Sequence, residues 1–459
     1  MKCGVDLPTA AAHTFAMRLS LLAFVVLAIC SLRCAAAGLL VIAPRAFAPA
    51  LVDFVAFKKT QLNTDLVPLE EILGESAGYD DAEKLKRFLY AKWRKGELAY
   101  VLLVGGADVM PVRYMVLDRV TPAAFDYAFY PSDLYYADLA KTDGSFESWN
   151  AQREGFHGGY FGEVRGEKNK GDAINFDDID YLPEVAMGRW PVSTPEQARA
   201  VAAKTIVAER QRATRNSGRK NAALIATTGW VDTRGHFDGL EAVLHGAWQI
   251  DRRLFERETP EHPNQTALVE LWNGGEDLIL HAGHGGPRDW EQCFSTGALP
   301  KLSNTERLPV VFSAGCSTAY FAALAPYDGY EDAAGAEHAG SDHGEVFTAP
   351  PPPPANYQHG KYSKSGLGVE LLRMPQGGAA AYIGCNTGSQ PCALTLQRGF
   401  VEAAGQPQIR LGDAWNAAIR YYYPHEHLGE LKADAGWYPP SIFFQGMKFM
   451  LFGDPTLEL

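Results

Sequence analysis

Two short apolar runs, each ending in glycines around a reactive side chain, constrain this chain more than any other feature. The first run is Asp277–Gly286 (DLILHAGHGG), which contains His284. The second is Leu308–Ser317 (LPVVFSAGCS), which contains Cys316, 32 residues after the histidine. Such runs are typical of buried strands that enter a loop. Neighbouring parallel strands would therefore present His284 and Cys316 together, at the sheet edge where open α/β proteins place ligands and catalytic groups.

The residue types at this edge point to nucleophilic catalysis by a thiol. Because a free thiol is mostly protonated at neutral pH, a cysteine nucleophile needs a base or a cation beside it. His284 can accept the proton of Cys316 and then donate it to a leaving amine. Gly285 has no side chain to obstruct a substrate carbonyl, so we expect the backbone N–H groups of Gly285 and Cys316 to bind the oxyanion. The pattern predicts a cysteine hydrolase.

The bulk properties exclude few classes of protein, but they limit the choice of partners. A chain of 459 residues can hold two or three domains, or one large α/β domain. The net charge of −12 and the lack of a basic cluster argue against a nucleic-acid partner. The oligomeric state cannot be predicted from this sequence.

The N-terminus has the pattern of a secretory signal peptide. Met17 and Arg18 precede the apolar stretch Leu19–Leu32, and the small residues Ala35–Ala37 follow it. We therefore predict a signal peptide over residues 1–37, with cleavage before Gly38. An uncleaved anchor is the alternative, although a membrane span needs about 20 apolar residues. The mature protein would be exported, either secreted or periplasmic, with no membrane association after cleavage.

Residues 38–212 are predicted to form an N-terminal α/β subdomain. Strands alternate with amphipathic helices, which favours a parallel sheet with helices on both faces. From about residue 118 to residue 180 the helical periodicity disappears. The predicted strands are Leu39–Ala43, a strand around Leu66, Tyr100–Val104 and Glu184–Gly188, and the predicted helices are Phe47–Lys59, one capped by Asp80, and Pro195–Arg212 capped by Thr194.

Residues 213–459 are predicted to form a second, catalytic α/β subdomain. It contains the two strands that lead to His284 and Cys316. Its other predicted elements are the strand Ala222–Thr227, the helix Leu240–Phe255, the strand Ala379–Ile383 and helices near 393–404, 411–422 and 440–450.

The segment 325–364 is rich in glycine, acidic residues and proline, with five consecutive prolines at Pro350–Pro354. A segment of this composition is typical of an extended polyproline arm or a surface loop. We favour an inserted linker over a flap that covers the substrate.

Six sequence motifs, in this order, resemble the gingipain family of cysteine peptidases, which is peptidase family C25 of the caspase-like clan. The resemblance extends over about residues 38–459. It implies a caspase-like α/β fold of two side-by-side subdomains, with mainly parallel sheets flanked by helices. It also implies a catalytic dyad in which Cys316 is the nucleophile and His284 the general base and acid. The motifs are YVLLVGGADVMPVR, SDLYYADL, PEVAMGRWPVST, HAGHGG, VVFSAGCST and LFGDPTLEL.

The resemblance also suggests a substrate-binding residue. Arginine-specific members bind the P1 side chain with an aspartate near the first helix of the second subdomain. Asp238 is the best match and Asp232 the alternative, so the expected P1 residue is Arg or Lys. An exposed aspartate at a helix start is also a common cap. The family's acidic residue after the preceding strand has no counterpart at 227–230.

Calcium is the cofactor that the resemblance implies, and no organic cofactor is expected. Aspartates in the helix-poor segments could brace loops around the ion, although solvated loop aspartates are the alternative. Zinc is disfavoured, because strand alternation would place His281 and His284 on opposite faces. The candidate calcium ligands are Asp133, Asp138, Asp143, Asp177, Asp178 and Asp180, and the other side chains considered for zinc are Cys293, His425 and His427.

Two further features bear on processing and redox state. The chain stops at GDPTLEL, so we expect no immunoglobulin-like module and no C-terminal secretion domain. We also expect no propeptide between the predicted signal peptide and the catalytic unit. Cys385 and Cys392 flank a turn-rich segment and could form a disulfide, or they could be two small buried side chains.

The leading hypothesis is an exported cysteine endopeptidase that acts on proteins through a thioester acyl-enzyme on Cys316. One alternative is a sortase-like transpeptidase, in which a protein amine attacks the same acyl-enzyme. Another is a catalytically silent, exported binding protein that uses the same scaffold.

Overall fold

The computed structural model of the chain describes residues 38–118, 127–166, 168–215, 219–227, 229–254, 263–433 and 438–459. The predicted signal peptide, residues 1–37, lies outside these ranges. In the described part of the chain, no helix is both long enough and apolar enough to cross a bilayer.

A ten-stranded sheet forms the centre of the molecule, in the order β2-β1-β3-β6-β17-β16-β13-β9-β7-β8. The remaining strands form small hairpins around it. In chain order the strands are β1 (Gly38–Ala43), β2 (Asn63–Pro68), β3 (Tyr100–Val104), β4 (Tyr114–Asp118), β5 (Tyr127–Pro131), β6 (Ala186–Trp190), β7 (Lys220–Ala226), β8 (Trp248–Leu254), β9 (Leu278–Ala282), β10 (Gly285–Gly286), β11 (Asp289–Trp290), β12 (Phe294–Ser295), β13 (Val310–Ser313), β14 (Tyr330–Glu331), β15 (Glu337–His338), β16 (Ala381–Cys385) and β17 (Phe449–Phe452).

Helices pack on both faces of the large sheet. In chain order they are α1 (Val52–Lys59), α2 (Leu69–Glu75), α3 (Asp81–Arg94), α4 (Leu134–Ala137), α5 (Pro195–Thr214), α6 (Arg234–Leu244), α7 (Gln265–Gly274), α8 (Leu367–Arg373), α9 (Ala393–Ala404), α10 (Leu411–His425) and α11 (Tyr438–Phe443).

The two halves of the sheet run in opposite directions. Strands β2, β1, β3 and β6 are parallel to one another, and so are β16, β13, β9, β7 and β8. The last strand, β17, joins the halves because it pairs parallel with β6 and antiparallel with β16. The architecture is therefore the mixed, mainly parallel α/β fold that the sequence predicts.

The composition of the strands explains why the sheet is covered on both faces. In β1, Leu40 and Ile42 belong to one apolar cluster, while Leu39 and Val41 belong to a second. Strands buried on both faces read as continuous apolar runs, which is how the sequence presents β3, β9 and β13.

The predicted helix caps are confirmed. The side chain of Asp80 accepts a hydrogen bond from the Glu83 amide at the start of α3. Thr194 accepts one from the Gln197 amide at the start of α5, where Pro195 is the first helical residue. These bonds satisfy amides that have no partner inside the helix.

Two predicted helices were wrong in part. The stretch Leu240–Phe255 was expected to be one helix, but α6 ends at Leu244 and β8 begins at Trp248. Gly246, with a φ of +90°, lies in the turn between them. The helix expected at 440–450 is likewise divided into α11 and β17. In both cases pairing with a neighbouring strand overrides local helical propensity.

Other boundaries shift by a few residues. The strands expected at 184–188 and 379–383 are β6 and β16, each displaced by two residues toward the C-terminus. The helix expected at 47–59 is a 3₁₀ turn, Arg45–Ala50, followed by α1.

The proline-rich segment 325–364 is packed and is not an extended arm. Its ends lie together, since Ala322 and Ser363 form a β-bridge, and it contains the β14–β15 hairpin. The hydroxyl of Tyr160 donates to the Pro351 carbonyl over 3.2 Å, and that of Tyr330 donates to the Pro352 carbonyl over 2.9 Å. Carbonyl groups of the proline run thus accept hydrogen bonds from tyrosine hydroxyls. Because Tyr160 belongs to the N-terminal half, the segment packs against that half.

Candidate active site

Register between β9 and β13 sets the positions of the two predicted catalytic residues. The strands are parallel neighbours, with His281 opposite Ser313. His284 and Cys316 each follow this pair by three residues. The sheet therefore brings both side chains to the same edge, at the carboxyl ends of the strands, as the sequence predicts.

The loops that follow the two strands touch through their backbones. A β-carbon added to Gly285 would lie 2.9 Å from the carbonyl oxygen of Cys316 and 3.3 Å from its nitrogen. A β-carbon on Gly315 would lie 3.3 Å from the Cα of Gly285. Only glycine allows two main chains to approach this closely. The glycines on both sides therefore hold the histidine loop against the cysteine loop.

A backbone carbonyl orients the imidazole of His284. The Nε2 atom lies 2.9 Å from the carbonyl oxygen of Gly229, which can only accept a hydrogen bond, so Nε2 carries the proton. In the neutral ring the Nδ1 atom is then the unprotonated nitrogen. Gly229 has a φ of +92°, a conformation that favours glycine. The region 227–230, which has no acidic side chain, thus contributes a carbonyl.

The thiol of Cys316 lies against a loop that sequence reasoning missed. The backbone amide of Ser389 donates to the Sγ of Cys316 over 3.2 Å, and the amide of Ser317 donates to the carbonyl of Thr387 over 2.8 Å. The side chain of Gln445 donates to the hydroxyl of Ser389 over 3.0 Å. The turn signal Gly388-Ser389 after the β16 strand could have identified this loop, because every other strand in this half also delivers its loop to the same edge.

Two further features of the cysteine loop suit nucleophilic chemistry. Cys316 is half-buried, and its own N–H has no hydrogen-bond partner among the residues described here. An amide without an internal partner is available to a substrate oxyanion. Ser317, the next residue, has a φ of +54°, and such strained backbone is concentrated at functional sites.

The predicted substrate-binding aspartate is already paired. Asp238 lies on α6 with its side chain 65% exposed, and its carboxylate is 2.8 Å from Nη2 of Arg252. Arg252 also pairs with Glu241, so two carboxylates share one guanidinium and a net negative charge remains. The alternative, Asp232, is paired with Arg234 at 2.6 Å, which holds the pKa of its carboxyl at about 2.

The six aspartates considered for calcium do not converge. Each has a protein partner, and no group of three or more His, Cys, Asp or Glu side chains in the described ranges could hold an ion. Burial raises the pKa of Asp138 well above its usual range and that of Asp177 to about 7. No set of calcium ligands is found among the described residues, and calcium stays a prediction. The partners are Arg189 for Asp133, Trp149 for Asp138, Ser145 for Asp143, Glu163 for Asp177, Lys141 for Asp178 and Thr142 for Asp180.

The histidines considered for zinc have other surroundings. His281 is fully buried, with Nδ1 2.9 Å from the hydroxyl of Ser313. His425 stacks on Tyr421, and His427 is 70% exposed.

The remaining cysteines are buried thiols. Cys385 and Cys392 are both free, so the disulfide considered from the sequence is not formed. Burial raises the pKa of Cys385 to about 12 and that of Cys392 to about 11. Cys293 is also buried, and its pKa is raised to about 12. Among the cysteines that the structure describes, Cys316 alone is half-exposed.

Comparisons with known proteins identify the family and the fold of this chain. The model of the family described as "Peptidase family C25" matches residues 35–459. The fold is similar to the crystal structure of the Arg-specific cysteine proteinase gingipain R (RGPB), with a TM-score of 0.60 and 16% identity, covering 92% of this chain and 78% of that chain. The complex of the Porphyromonas gingivalis RgpB pro- and mature domains gives a TM-score of 0.57 and 16% identity, with 91% and 79% covered. No curated protein matches.

At these low identities the structural similarity establishes the fold alone. This fold is the predicted caspase-like arrangement. Membership is established by the family model, because it extends over nearly all of the chain, including both strands that lead to His284 and Cys316. The chain belongs to peptidase family C25, the gingipain family of cysteine peptidases.

Proposed function

We propose that the chain is an exported cysteine endopeptidase that cleaves proteins with the dyad Cys316 and His284. The observation that carries this proposal is the backbone contact between Gly285 and Cys316. It brings a histidine loop and a cysteine loop together at the carboxyl edge of the sheet, with the imidazole oriented by Gly229. A thiol nucleophile requires a base within reach, and the two adjoining loops supply a half-buried thiol and an oriented imidazole.

The proposed reaction proceeds in two stages. The Nδ1 atom of His284 takes the thiol proton as the Sγ of Cys316 bonds to the scissile carbonyl carbon. The N–H groups of Cys316 and Gly285 stabilise the oxyanion. When the C–N bond breaks, the imidazolium returns the proton to the leaving amine, which leaves a thioester. Water, deprotonated by His284, then attacks the thioester, so that a carboxylate is released and the thiol is restored.

We further propose a basic P1 residue, bound near Asp238. The support is local charge: Asp238 and Glu241 outnumber Arg252, so this surface keeps a net negative charge. A substrate guanidinium would have to compete with Arg252 for the carboxylate. Asp238→Asn should therefore raise KM for substrates with Arg at P1 by roughly tenfold, the loss of one charge-assisted hydrogen bond. Asp232→Asn is the matched control.

Peptide-library cleavage tests the activity. The chain from Gly38 onward is incubated with the library, a reductant and either calcium or a chelator, beside Cys316→Ala and His284→Ala. We expect cleavage that both substitutions abolish. Sequenced cleavage sites identify the P1 residue, and capture of added amines by the acyl-enzyme would reveal transpeptidation. A wild-type chain that neither cleaves nor reacts with a peptide electrophile would refute the proposal.

Export is proposed from the N-terminal sequence pattern, residues 1–37. N-terminal sequencing of the protein recovered outside the cytoplasm should begin at Gly38. A first residue of Met1 would refute cleavage at this position.

A further inference from the structure

A second histidine, His281, lies directly beneath the two catalytic loops. Its side chain is fully buried and stacks on the indole of Trp290, with ring centres 4.4 Å apart and planes inclined by 6°. Burying an imidazole is costly unless its polar atoms find partners. Its Nδ1 atom has one partner, the hydroxyl of Ser313 on the neighbouring strand, at 2.9 Å.

Ser313 connects this imidazole to the loop of the nucleophile. Its hydroxyl also accepts a hydrogen bond from the amide of Gly315 over 3.3 Å. Gly315 is the residue immediately before Cys316. One buried hydroxyl thus joins the His281 ring on β9 to the first turn after β13.

The ring also touches the glycines that precede both members of the dyad. A β-carbon added to Gly315 would lie 3.2 Å from Cε1 of His281, and one added to Gly283 would lie 3.3 Å from Nε2. Gly283 precedes His284 as Gly315 precedes Cys316. The imidazole of His281 therefore packs against both loops, at the residues that precede His284 and Cys316.

A second layer of buried groups fixes the ring from below. The indole N–H of Trp290 donates to the hydroxyl of Tyr382 over 3.1 Å, and the side chains of Ser313 and Thr318 lie near that hydroxyl. All five side chains are buried: His281, Trp290, Ser313, Thr318 and Tyr382. Hydrogen bonds of this kind restrain the residues that they connect, although the Nε2 atom of His281 has no hydrogen-bond partner among the described residues.

His281 itself is not a second acid or base. Burial lowers its pKa to about 3, so the ring is neutral over the whole range in which a cysteine peptidase works. Its contribution is geometric.

We propose that His281, acting through the Ser313 hydroxyl, is a positioning residue that fixes Gly315 and so aims the thiol of Cys316 at the substrate carbonyl. The catalytic consequence rests on the proposed function, whereas the restraint on the loop does not. A small displacement of a reacting group from its productive position costs a large factor in rate.

Three variants separate the parts of this arrangement. His281→Phe keeps a ring to stack on Trp290 but removes the bond to Ser313. His281→Asn places an amide nitrogen near the position of Nδ1 and so keeps the bond. Ser313→Ala removes a single oxygen atom, so it should fold even if the first variant does not. Thr205→Ala, which removes a buried hydroxyl bonded only within α5, is the matched control.

Two measurements are made on each variant. For peptide cleavage we expect kcat to fall about tenfold or more in His281→Phe and Ser313→Ala, while KM stays within about twofold of the wild-type value. We expect His281→Asn to keep most of the wild-type kcat. For amide hydrogen exchange we expect His281→Phe and Ser313→Ala to exchange faster than the wild-type chain in peptides covering 314–319. Peptides from β9 and β13 are the internal reference. Thr205→Ala, compared by its melting temperature, is the reference for a general loss of stability. A role limited to stability would raise exchange throughout the sheet and leave kcat unchanged.

The outcomes distinguish this inference from the proposed function. If the wild-type chain cleaves peptides and the variants match it in kcat, the positioning role is refuted. If the wild-type chain cleaves nothing, the proposed function fails, and exchange alone decides: faster exchange confined to 314–319 sustains the restraint, and unchanged exchange overturns it.

Discussion

The amide of Ser389 points at the sulfur of Cys316, 3.2 Å away. The sulfur also lies 3.6 Å from the carbonyl oxygen of the same residue, so Ser389 offers the Cys316 side chain both a donor and an acceptor. A hydrogen bond from an amide strengthens when its acceptor becomes charged. The loop after β16 therefore contacts the proposed nucleophile, which follows a different strand.

Removing the Ser389 amide should lower the reaction rate of the Cys316 thiol. Ser389→Pro lacks the N–H, and we expect the rate of Cys316 alkylation by iodoacetamide at neutral pH to fall by about tenfold, in line with the loss of a charge-assisted bond. Ser389→Ala keeps the amide and should react at nearly the wild-type rate. Equal rates in Pro and Ala variants of the same melting temperature would show that the contact does not activate the thiol.

Gly285 should tolerate no side chain. A β-carbon there would lie 2.7 Å from Cγ2 of Thr318 and 2.9 Å from the Cys316 carbonyl, so Gly285→Ala must push the two loops apart. Overpacking of this kind costs about 1–3 kcal/mol, and we expect kcat/KM for a peptide substrate to fall by more than about tenfold. In the control Gly286→Ala, the new β-carbon would meet only the flexible carboxylate of Asp289, at 3.0 Å. Similar activity in the two variants would contradict the contact.

Gly229 should matter through its carbonyl more than through its flexibility. Gly229→Ala strains a backbone with a φ of +92° and should move the oxygen that orients His284. Gly246 has nearly the same φ, +90°, but has no neighbour within 4 Å at its β-position. Both alanine variants should lose about 1–2 kcal/mol of stability. Only Gly229→Ala should also lose kcat, and equal losses of kcat would remove the orienting role.

His338 makes the stability of the 325–364 segment depend on pH. Its Nδ1 and Nε2 atoms face the carboxylates of Glu345 and Asp332 at 2.8 and 2.9 Å, so both nitrogens carry protons. Burial lowers the pKa of His338, but these hydrogen bonds outweigh it and raise the pKa above its ordinary value. A raised pKa in the folded state means that the stabilisation is complete below about pH 6.5 and is lost as the pH rises through the folded value. The pKa values of Asp332 and Glu345 are lowered, which removes the stabilisation again in acid.

The measurement is the difference in melting temperature between the wild-type chain and His338→Gln from about pH 4 to about pH 9. We expect this difference to be largest between about pH 5 and pH 6.5 and to shrink toward pH 9. His343→Gln, an exposed histidine of the same segment, is the control and should show no such profile. A difference that grows with rising pH would contradict the assignment.

The prediction from the sequence was most successful for strands that are buried on both faces. Strands β3, β9 and β13 are apolar on both faces, so only a covered parallel sheet can accommodate them, and this placed His284 and Cys316 together. The stretch Trp248–Leu254 misled because its charged residues are those of an edge strand, which resembles the polar face of a helix.

The rest of the site depends on contacts that no local pattern carries. Ser389 reaches Cys316 from 73 residues away, and a carbonyl such as that of Gly229 leaves no mark in the sequence at all. The ion pair between Asp238 and Arg252 could not be predicted, because Arg252 lies on β8, in a stretch whose pattern predicts a helix. Proline composition likewise predicted an extended arm or a surface loop at 325–364. The packing of this segment depends on Tyr160 and Tyr330, whose hydroxyls donate to it from outside the proline run.

The joining strand β17 has a consequence for biosynthesis. Phe449–Phe452 is central in space but follows every other strand in the order of synthesis. Until the ribosome has released these residues, β6 and β16 have no strand between them, and their facing edges stay open. The nascent chain thus carries both reactive side chains long before its two halves can close into one sheet. The two halves can therefore close into one sheet only after residues 449–452 have been synthesised.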